Sequence, residues 1–169
     1  MSTLKVQNIA HTNGTNSMTI SSGGVITPSV KHAFYMYRST AQAINHASGV
    51  NIIQFDATRI NEGNGVTLGT NARYTVPSGA DGIYVLHAKG RLESSTDGNA
   101  SIQMRLNGTA ISTTYYYHEY FDGMNINMLR NLSAGDYVDV GMANSIGVNV
   151  NVGGADAGDV LYFHGYRLG

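Results

Sequence analysis

The sequence has no cysteine, no tryptophan, only two prolines and few charged residues. The lack of cysteine excludes disulfide bonds, thiolate metal sites and cysteine nucleophiles. Charged residues make up 12% of the chain and the formal net charge is −1, so we expect no binding to nucleic acid or to anionic membranes. No apolar run approaches the roughly 18 residues of a membrane-spanning helix, which predicts that the chain does not insert into a membrane.

Signals for secretion and for catalysis are also missing. The opening residues MSTLKVQN have no apolar core of the kind found in secretory signals. The six histidines are scattered, without an HExxH motif. Glu119 and Asp122 could form an acid pair, and Asp156 and Asp159 could contribute to a calcium site. However, glycosidases need a set carboxylate separation and calcium needs about six or more oxygen ligands. We therefore expect no enzyme activity, no cofactor and no metal.

Glycine, asparagine, serine and threonine take the place of the charged residues, which is typical of turn-rich β structure. A chain of 169 residues can bury a core without cross-links. Short alternating segments, separated by turn residues roughly every 8–12 positions, predict about eight to ten strands and no helix. The expected fold class is all-β, as a two-sheet sandwich or jelly roll.

The most informative stretch is YTVPSGADGIYVLHAKGRL, residues 74–92. Pro77 cannot donate to a β-ladder, so a strand is expected to end there. Turn residues follow, and a long strand is predicted from Ile83 to Leu92 with period two. One face is predicted to be core: Tyr84, Leu86, Ala88 and Leu92. The other face begins apolar and ends basic: Ile83, Val85, His87, Lys89 and Arg91.

Three segments have apolar residues on both faces: Ala33–Tyr37, Ile83–Leu92 and Val160–Leu168. If they belong to one sheet, that sheet is covered on both sides, and self-association is the simplest cover for the second side. The Asn107-Gly108 pair predicts a hairpin turn. Other strands are predicted at 52–57, 66–76, 101–107, 111–117, 124–132 and 137–143. Loops are predicted at 39–51, with a helical turn in AQAINHA, at 93–99 and at 144–158.

Residues 1–30 differ from the rest of the chain and are predicted to form a separate N-terminal arm, with a head domain at 31–169. The arm has sparse apolar residues and signals for two or three short strands, but too few residues for a core. One interpretation is a disordered leader; the other is an attachment arm that is ordered by assembly. The apolar residues assigned to attachment are Leu4, Val6, Ile9, Met18, Ile20, Val25 and Ile26.

Six segments occur in an order that resembles the C1q/TNF-like jelly-roll family: Ala33-Phe34, Phe55-Asp56 with Asn64-Gly65 and Tyr74–Pro77, Gly82–Leu86, Leu106–Gly108, Leu132–Val138 and Phe163–Leu168. Leu86 stands where the family usually has an aromatic residue. The resemblance implies a sandwich of about ten strands that assembles as a homotrimer, with one sheet along the threefold axis. It implies a trimer interface formed by Tyr35, Tyr37, Ile83, Val85, His87, Tyr162, His164 and Tyr166.

Two alternatives remain open for this surface. The tyrosines could lie on the surface of a monomer. His87 and His164 could either pack as polar interface residues or meet their copies around an ion on the axis.

The leader LKVQNIAHTNGTNSMTISSGGVITP is similar to the leaders of tailed-phage virion proteins. This resemblance implies a virion structural protein, as a tail-fibre or baseplate appendage or a capsid decoration, anchored to other virion proteins through the arm. Virion localisation is the corresponding expectation. The alternative is a secreted C1q-like or lectin-like binding module, which the missing signal sequence and the missing cysteines disfavour.

The stretch YYYHEYF, residues 115–121, is the most distinctive candidate for a ligand surface. Clustered aromatic rings beside acidic and amide groups suit stacking on sugar rings or contact with a protein at the host surface. Alternatively, the rings cap the core. The candidate ligand residues are Tyr115, Tyr116, Tyr117, Glu119 and Tyr120.

Overall fold

The computed structural model describes residues 6–10, 16–28, 31–119, 123–153 and 160–168. The chain divides into two compact units, Met1–Lys31 and His32–Gly169, here called the arm and the head. Within the described ranges, the helical segments are two short 3₁₀ turns, His46–Ser48 and Gly69–Asn71. Neither helix is long and apolar enough to cross a membrane.

The arm is a small antiparallel sheet of three strands, β1 (Asn8–Ala10), β2 (Asn16–Ile20) and β3 (Ile26–Pro28). The turn between β2 and β3 closes when the Ser21 N–H donates to the Val25 carbonyl at 2.9 Å. The Val25 N–H donates to the Ser21 hydroxyl at 3.0 Å. None of the described side chains of the arm is buried, so the strands form without a core, as their sparse apolar residues predict.

The described part of the head contains thirteen strands. They are β4 (Ala33–Tyr37), β5 (Gln42–Ile44), β6 (Asn51–Ile52), β7 (Ala57–Glu62), β8 (Val66–Thr67), β9 (Arg73–Thr75), β10 (Gly82–Glu93), β11 (Gly98–Leu106), β12 (Thr109–His118), β13 (Gly123–Leu132), β14 (Tyr137–Asn144), β15 (Val150–Val152) and β16 (Tyr162–Arg167).

These strands form two antiparallel sheets. Sheet I has the order β5-β15-β10-β16-β4-β7, with β13 also paired to β10. Sheet II has the order β12-β11-β14-β9-β8, with β6 also paired to β14. Alternate residues of both sheets point into a shared apolar core, which is the arrangement of a β-sandwich.

Aromatic rings fill the centre of the core. Phe34 of β4 stacks on Tyr74 of β9 with ring centroids 4.1 Å apart, and it meets Phe163 of β16 edge-on at 4.8 Å. Gly165 lies on the same inward row of β16. A Cβ at this position would lie 2.7 Å from the Val85 carbonyl oxygen and 2.8 Å from the Phe34 ring. Only glycine therefore fits where β16 passes over these rings.

For several strands, the structure confirms which side chains point into the core. Tyr84, Leu86, Ala88 and Leu92 of β10 are fully buried. The predicted strand at 137–143 forms as β14, and its alternate residues Val138, Val140 and Met142 are all inaccessible to solvent. Asn107 and Gly108 have φ of 51° and 81°, the left-handed conformation that a primed hairpin turn requires.

The predicted strand at 52–57 is wrong over its central residues. The Ile53 N–H donates to Val140 of sheet II, whereas the Asp56 N–H donates to Tyr37 of sheet I. The segment thus crosses from one sheet to the other and cannot remain in a single ladder. Its apolar residues Ile53 and Phe55 are nevertheless completely buried, because they lie between the sheets.

The predicted strand at 66–76 is divided into β8 and β9 by the 3₁₀ turn at Gly69–Asn71. Gly69 has a φ of 84° and its N–H donates to the Phe55 carbonyl. Two loop predictions also fail, because β5 and β15 lie within them and pair with each other, Ile44 opposite Val150. β5 has no strong strand pattern by itself, whereas residues 148–152 read Val-Asn-Val-Asn-Val, an alternation that is a strand signal and that the loop prediction overlooked.

Candidate functional site

The three segments with two apolar faces are neighbours in one sheet, as the C1q/TNF-like resemblance implied. β16 lies between β10 and β4 in sheet I. Phe34 and Met36 of β4 point into the core, whereas Tyr35 and Tyr37 point to the opposite side. The outward side chains of β4, β10 and β16 are here called the aromatic face.

Five rings pack against one another across this face. Tyr35 stacks on Tyr162 with ring centroids 5.3 Å apart and on His164 at 5.7 Å. His87 contacts Tyr162 at 5.5 Å and His164 at 5.1 Å. Tyr37 lies 6.4 Å from Tyr35. The strand register explains the cluster, because His87, His164 and Tyr35 lie directly opposite one another on three adjacent strands.

The two histidines of the aromatic face share a hydrogen bond of 3.1 Å between His87 Nδ1 and His164 Nε2. Burial lowers the pKa of His87, and the positive charge of Lys89 lowers it further. Burial also lowers the pKa of His164, with a further contribution from His87. The lowered pKa values favour the neutral form of both rings, and the hydrogen bond itself requires at least one of the two rings to be neutral so that its nitrogen can accept.

A row of exposed apolar side chains lies beside these rings. Ile83 is 49% exposed and Tyr166 is 45% exposed. Val85 lies opposite Tyr166 on one side and opposite Leu129 of β13 on the other. Leu129 is 64% exposed, so the face continues onto β13.

Leu129 and Ile60 are members of this surface that the sequence analysis missed. Ile60 of β7 lies opposite Tyr35 and is exposed. Leu129 occupies the outward row of β13 among Asn125, Asn127 and Asn131. A single leucine within an asparagine row is a signal that could have identified it, because polar side chains are expected on a solvated face.

Cations lie at one end of the aromatic face. The Arg59 guanidinium lies 5.4 Å from the centre of the Tyr35 ring and 5.1 Å from that of Tyr37, within the range of a cation–π contact. On β10, two residues beyond Lys89 and so at the same end as Tyr37, Arg91 forms an ion pair of 2.7 Å with Glu93. Among the described residues, no cluster of three or more histidine or acidic side chains could hold a metal ion.

The tyrosine stretch of β12 divides between the two faces of sheet II. Tyr115 is 77% exposed and Tyr117 is 62% exposed. Tyr116 turns to the core, where its hydroxyl donates to the Asn125 carbonyl at 2.6 Å and accepts from the Asn125 N–H at 3.0 Å. Tyr116 therefore caps the core and connects β12 with β13.

Two further residues were assigned to this candidate surface. Glu119 is exposed beyond the end of β12, and Tyr120 lies outside the described residues. Asp122, Asp156 and Asp159, which were considered for an acid pair and a calcium site, also lie outside the described residues. Tyr115 borders an open cleft of about 180 Å³ on the outer side of sheet II.

The arm residues assigned to attachment form a largely solvent-exposed set. Val6, Ile9, Val25 and Ile26 are exposed in the arm sheet. Met18 and Ile20 of β2 are half-buried. Leu4 lies outside the described residues. Exposed apolar side chains without a core of their own are typical of a segment that binds another surface.

No family model matches the sequence, and no curated protein matches it. In structure, the chain is similar to the globular domain of the zebrafish complement 1qA protein, with a TM-score of 0.59 at 12% identity, covering 82% of this chain and 98% of the other. It is similar to murine APRIL at pH 5.0, with a TM-score of 0.61 at 10% identity, covering 82% and 99%. It is also similar to the PRD1 vertex protein P5, with a TM-score of 0.62 at 15% identity, covering 90% and 83%.

At these identities the likeness shows the fold. The predicted all-β, two-sheet jelly roll of the C1q/TNF type is confirmed. The described head has more strands than the ten or so that were expected, because the segment 66–76 is divided into β8 and β9 and because β5 and β15 lie in predicted loops.

Proposed function

We propose that this protein is a non-enzymatic structural component of a tailed-phage virion. In this proposal three copies associate through the aromatic face, the arm attaches the trimer to other virion proteins, and the head projects from the tail or the capsid. The observation that carries the proposal is the aromatic face itself. The fold likeness to the PRD1 vertex protein P5 supports the virion setting.

The aromatic face favours association because it exposes apolar surface on a sheet whose other side is already core. Ile60, Ile83, Leu129 and Tyr166 are all exposed on this one side of sheet I. A contiguous apolar patch of this kind marks a protein–protein contact rather than a solvated surface. Tyrosine is well suited to such a contact, since it combines a large apolar area with few rotatable bonds.

A threefold arrangement is preferred over other symmetries because of the C1q/TNF-like fold, whose resemblance implies a homotrimer built on this sheet. The strands that the resemblance assigns to the axis are β4, β10 and β16, and these are adjacent in sheet I. β13 extends the same face on the far side of β10.

The arm supports attachment because its strands have no buried core of their own. Its three strands bury no described side chain, and isolated strands of this length are marginal in water. An additional surface that covers Ile9, Val25 and Ile26 would stabilise the arm, either through side-chain packing or by pairing with an exposed strand edge.

Sedimentation of the purified protein tests the trimer. The expected species has three times the mass of the 18.0 kDa chain. Leu129→Glu places an unpaired charge in the proposed interface and is expected to give monomers. Val148→Glu is the matched control, because Val148 is also an exposed aliphatic residue but lies outside the aromatic face.

A wild-type monomer, or a trimer that Leu129→Glu leaves intact, would contradict the assignment of the interface. Immunogold labelling of purified virions with antibodies to the head tests the virion role. Labelled particles are expected, and their absence from mature virions would contradict that role.

A further inference from the structure

The cleft beside Tyr115 is formed by the strand register on the outer side of sheet II. Ser101 of β11 lies opposite Tyr115 on one side and opposite Ala143 of β14 on the other. Two small side chains therefore lie beside a tall, exposed ring. The Ser145 N–H donates to the Asn99 carbonyl at 2.8 Å, which brings the residues after β14 to the end of the cleft. The small side chains of Ser101 and Ala143 therefore form the floor of the cleft, and the Tyr115 ring forms one wall.

The lining of the cleft is uncharged, and its surface is mostly apolar with a few polar groups. The residues that line it are Asn99, Ala100, Ser101, Tyr115, Ala143, Asn144 and Ser145. No charged side chain is among the described residues that line it. A phosphate, a carboxylate or an ammonium group would find no opposite charge there, so the chemistry favours a neutral, hydroxyl-rich ligand.

The polar groups of the cleft differ in how many of their hydrogen bonds are already made within the protein. Asn144 is occupied by the fold, because its amide donates to the Ile44 carbonyl at 3.3 Å and accepts from the Ile146 N–H at 3.2 Å. The Ser145 hydroxyl donates to the Asn99 carbonyl at 3.3 Å and can still accept. Within the described part of the chain, the Asn99 amide has no hydrogen-bond partner and can both donate and accept.

We propose that this cleft binds one pyranose ring of a neutral glycan. Tyr115 stacks on the C–H face of the sugar, where the electron-rich ring attracts the weakly positive hydrogens. The Asn99 amide and the Ser145 hydroxyl bind the hydroxyl groups at the edge of the sugar. The inference rests on the proposed function only for the source of the glycan, which is the surface of the host.

The size of the cleft agrees with a single sugar ring. Its volume of about 180 Å³ lies below the roughly 300 Å³ at which pockets for drug-sized ligands begin. The cleft is open to solvent, so a longer glycan can continue out of it in either direction. Binding of a single sugar is expected to be weak, and a trimer with three such clefts gains by multivalency.

Saturation-transfer NMR and calorimetry on the full-length protein test the site. The probes are the methyl glycosides of glucose, galactose and mannose, with N-acetylglucosamine and glucuronic acid for comparison. At least one neutral sugar is expected to bind. Tyr115→Ala is expected to weaken that binding by about tenfold through loss of the stacking wall.

Two further variants locate the binding. Ala143→Leu fills the floor without altering Tyr115 and is expected to abolish binding. Tyr117→Ala is the control, because it removes a second exposed ring, opposite Asn99 on the neighbouring strand, that does not itself line the cleft; binding is expected to persist. Thermal unfolding of each variant verifies that the head is folded.

Three results would overturn the inference: no binding of any neutral sugar, an equal loss from Tyr115→Ala and Tyr117→Ala, or a preference for glucuronic acid over glucose. Sedimentation of the same samples separates this inference from the proposed function. A trimer that binds no sugar contradicts the glycan site alone, whereas a sugar-binding monomer contradicts the trimeric appendage alone.

Discussion

Gly165 shows how a single residue can determine the packing of a sheet. Its inward position on β16 leaves no room for a methyl group between the Val85 backbone and the Phe34 ring. In the sequence this glycine stands out only as part of the terminal motif Phe163–Leu168. The structure provides the physical reason, which is the close approach of β16 to the aromatic core.

Gly165→Ala is expected to destabilise the head by about 1–3 kcal/mol, because the added methyl overpacks a rigid site that includes backbone atoms. Gly123→Ala is the control, since a Cβ there meets only the Lys89 side chain at 3.9 Å. Urea unfolding measures both variants. Equal midpoints for Gly165→Ala and the wild type would show that the strands can move apart at no cost.

The His87–His164 pair gives the aromatic face a dependence on pH. The pKa of each ring is lowered in the folded protein, chiefly by burial. The unfolded chain therefore takes up protons at a higher pH than the folded chain does, and stability is lost as the pH falls below about 6.5. The groups beside His87 are Lys89 on its own strand, His164 and Tyr162 on β16 and Asn127 on β13, and none of them is a carboxylate that could compensate the charge.

Unfolding in urea at pH about 7.5 and about 5 tests this dependence. The wild-type midpoint is expected to fall on acidification, and the His87→Gln/His164→Gln double variant is expected to lose less. If both proteins lost the same stability, the pair would not be the source of the acid sensitivity.

At the scale of elements, local pattern and pairing have different roles. The long strands β10, β11 and β14 were predicted because apolar and polar residues alternate along them. The short strands β5 and β15 form because Ile44 and Val150 face each other across a ladder, although they are distant in sequence. β12 is likewise a long strand that was predicted from the sequence, but the hydrogen bond of the Tyr116 hydroxyl fixes its position beside β13.

Tyr116→Phe removes only that hydroxyl and leaves the Asn125 backbone groups without this partner. We expect a loss of about 1–2 kcal/mol, since each hydrogen bond contributes about 0.5–1.5 kcal/mol. Tyr117→Phe is the matched control, because Tyr117 is exposed, and we expect no change. Urea midpoints measure both variants, and a neutral Tyr116→Phe would show that water replaces the hydroxyl freely.

At the scale of the whole molecule, the arm and the head are separate compact units with opposite surface properties. The head buries a full core, while the arm buries no described side chain. This contrast favours a division of roles in which the head supplies its own stability and the arm supplies attachment.

Deletion of residues 1–31 tests this division. The truncated chain is expected to fold and to sediment as a trimer, because the aromatic face belongs to the head, but to be absent from assembled particles. The measurement is the protein content of virions produced with either form. Incorporation of the truncated chain at the wild-type level would show that the head itself is the attachment element.

The amino-acid sequence by itself determined the all-β class, the faces of the long strands, the Asn107-Gly108 hairpin and the two-sided character of three strands. These features depend on neighbours within a few residues, where alternation and turn chemistry act directly. Only the tertiary structure decided that 53–56 crosses between sheets, that β5 pairs with β15, that Leu129 and Ile60 join the aromatic face, and that Tyr115 borders a cleft. Each of these depends on residues that are far apart in the chain and that meet only when the ladders form. A local pattern can mark a residue as unusual, as the lone leucine among asparagines does for Leu129, but it cannot specify which residues it meets.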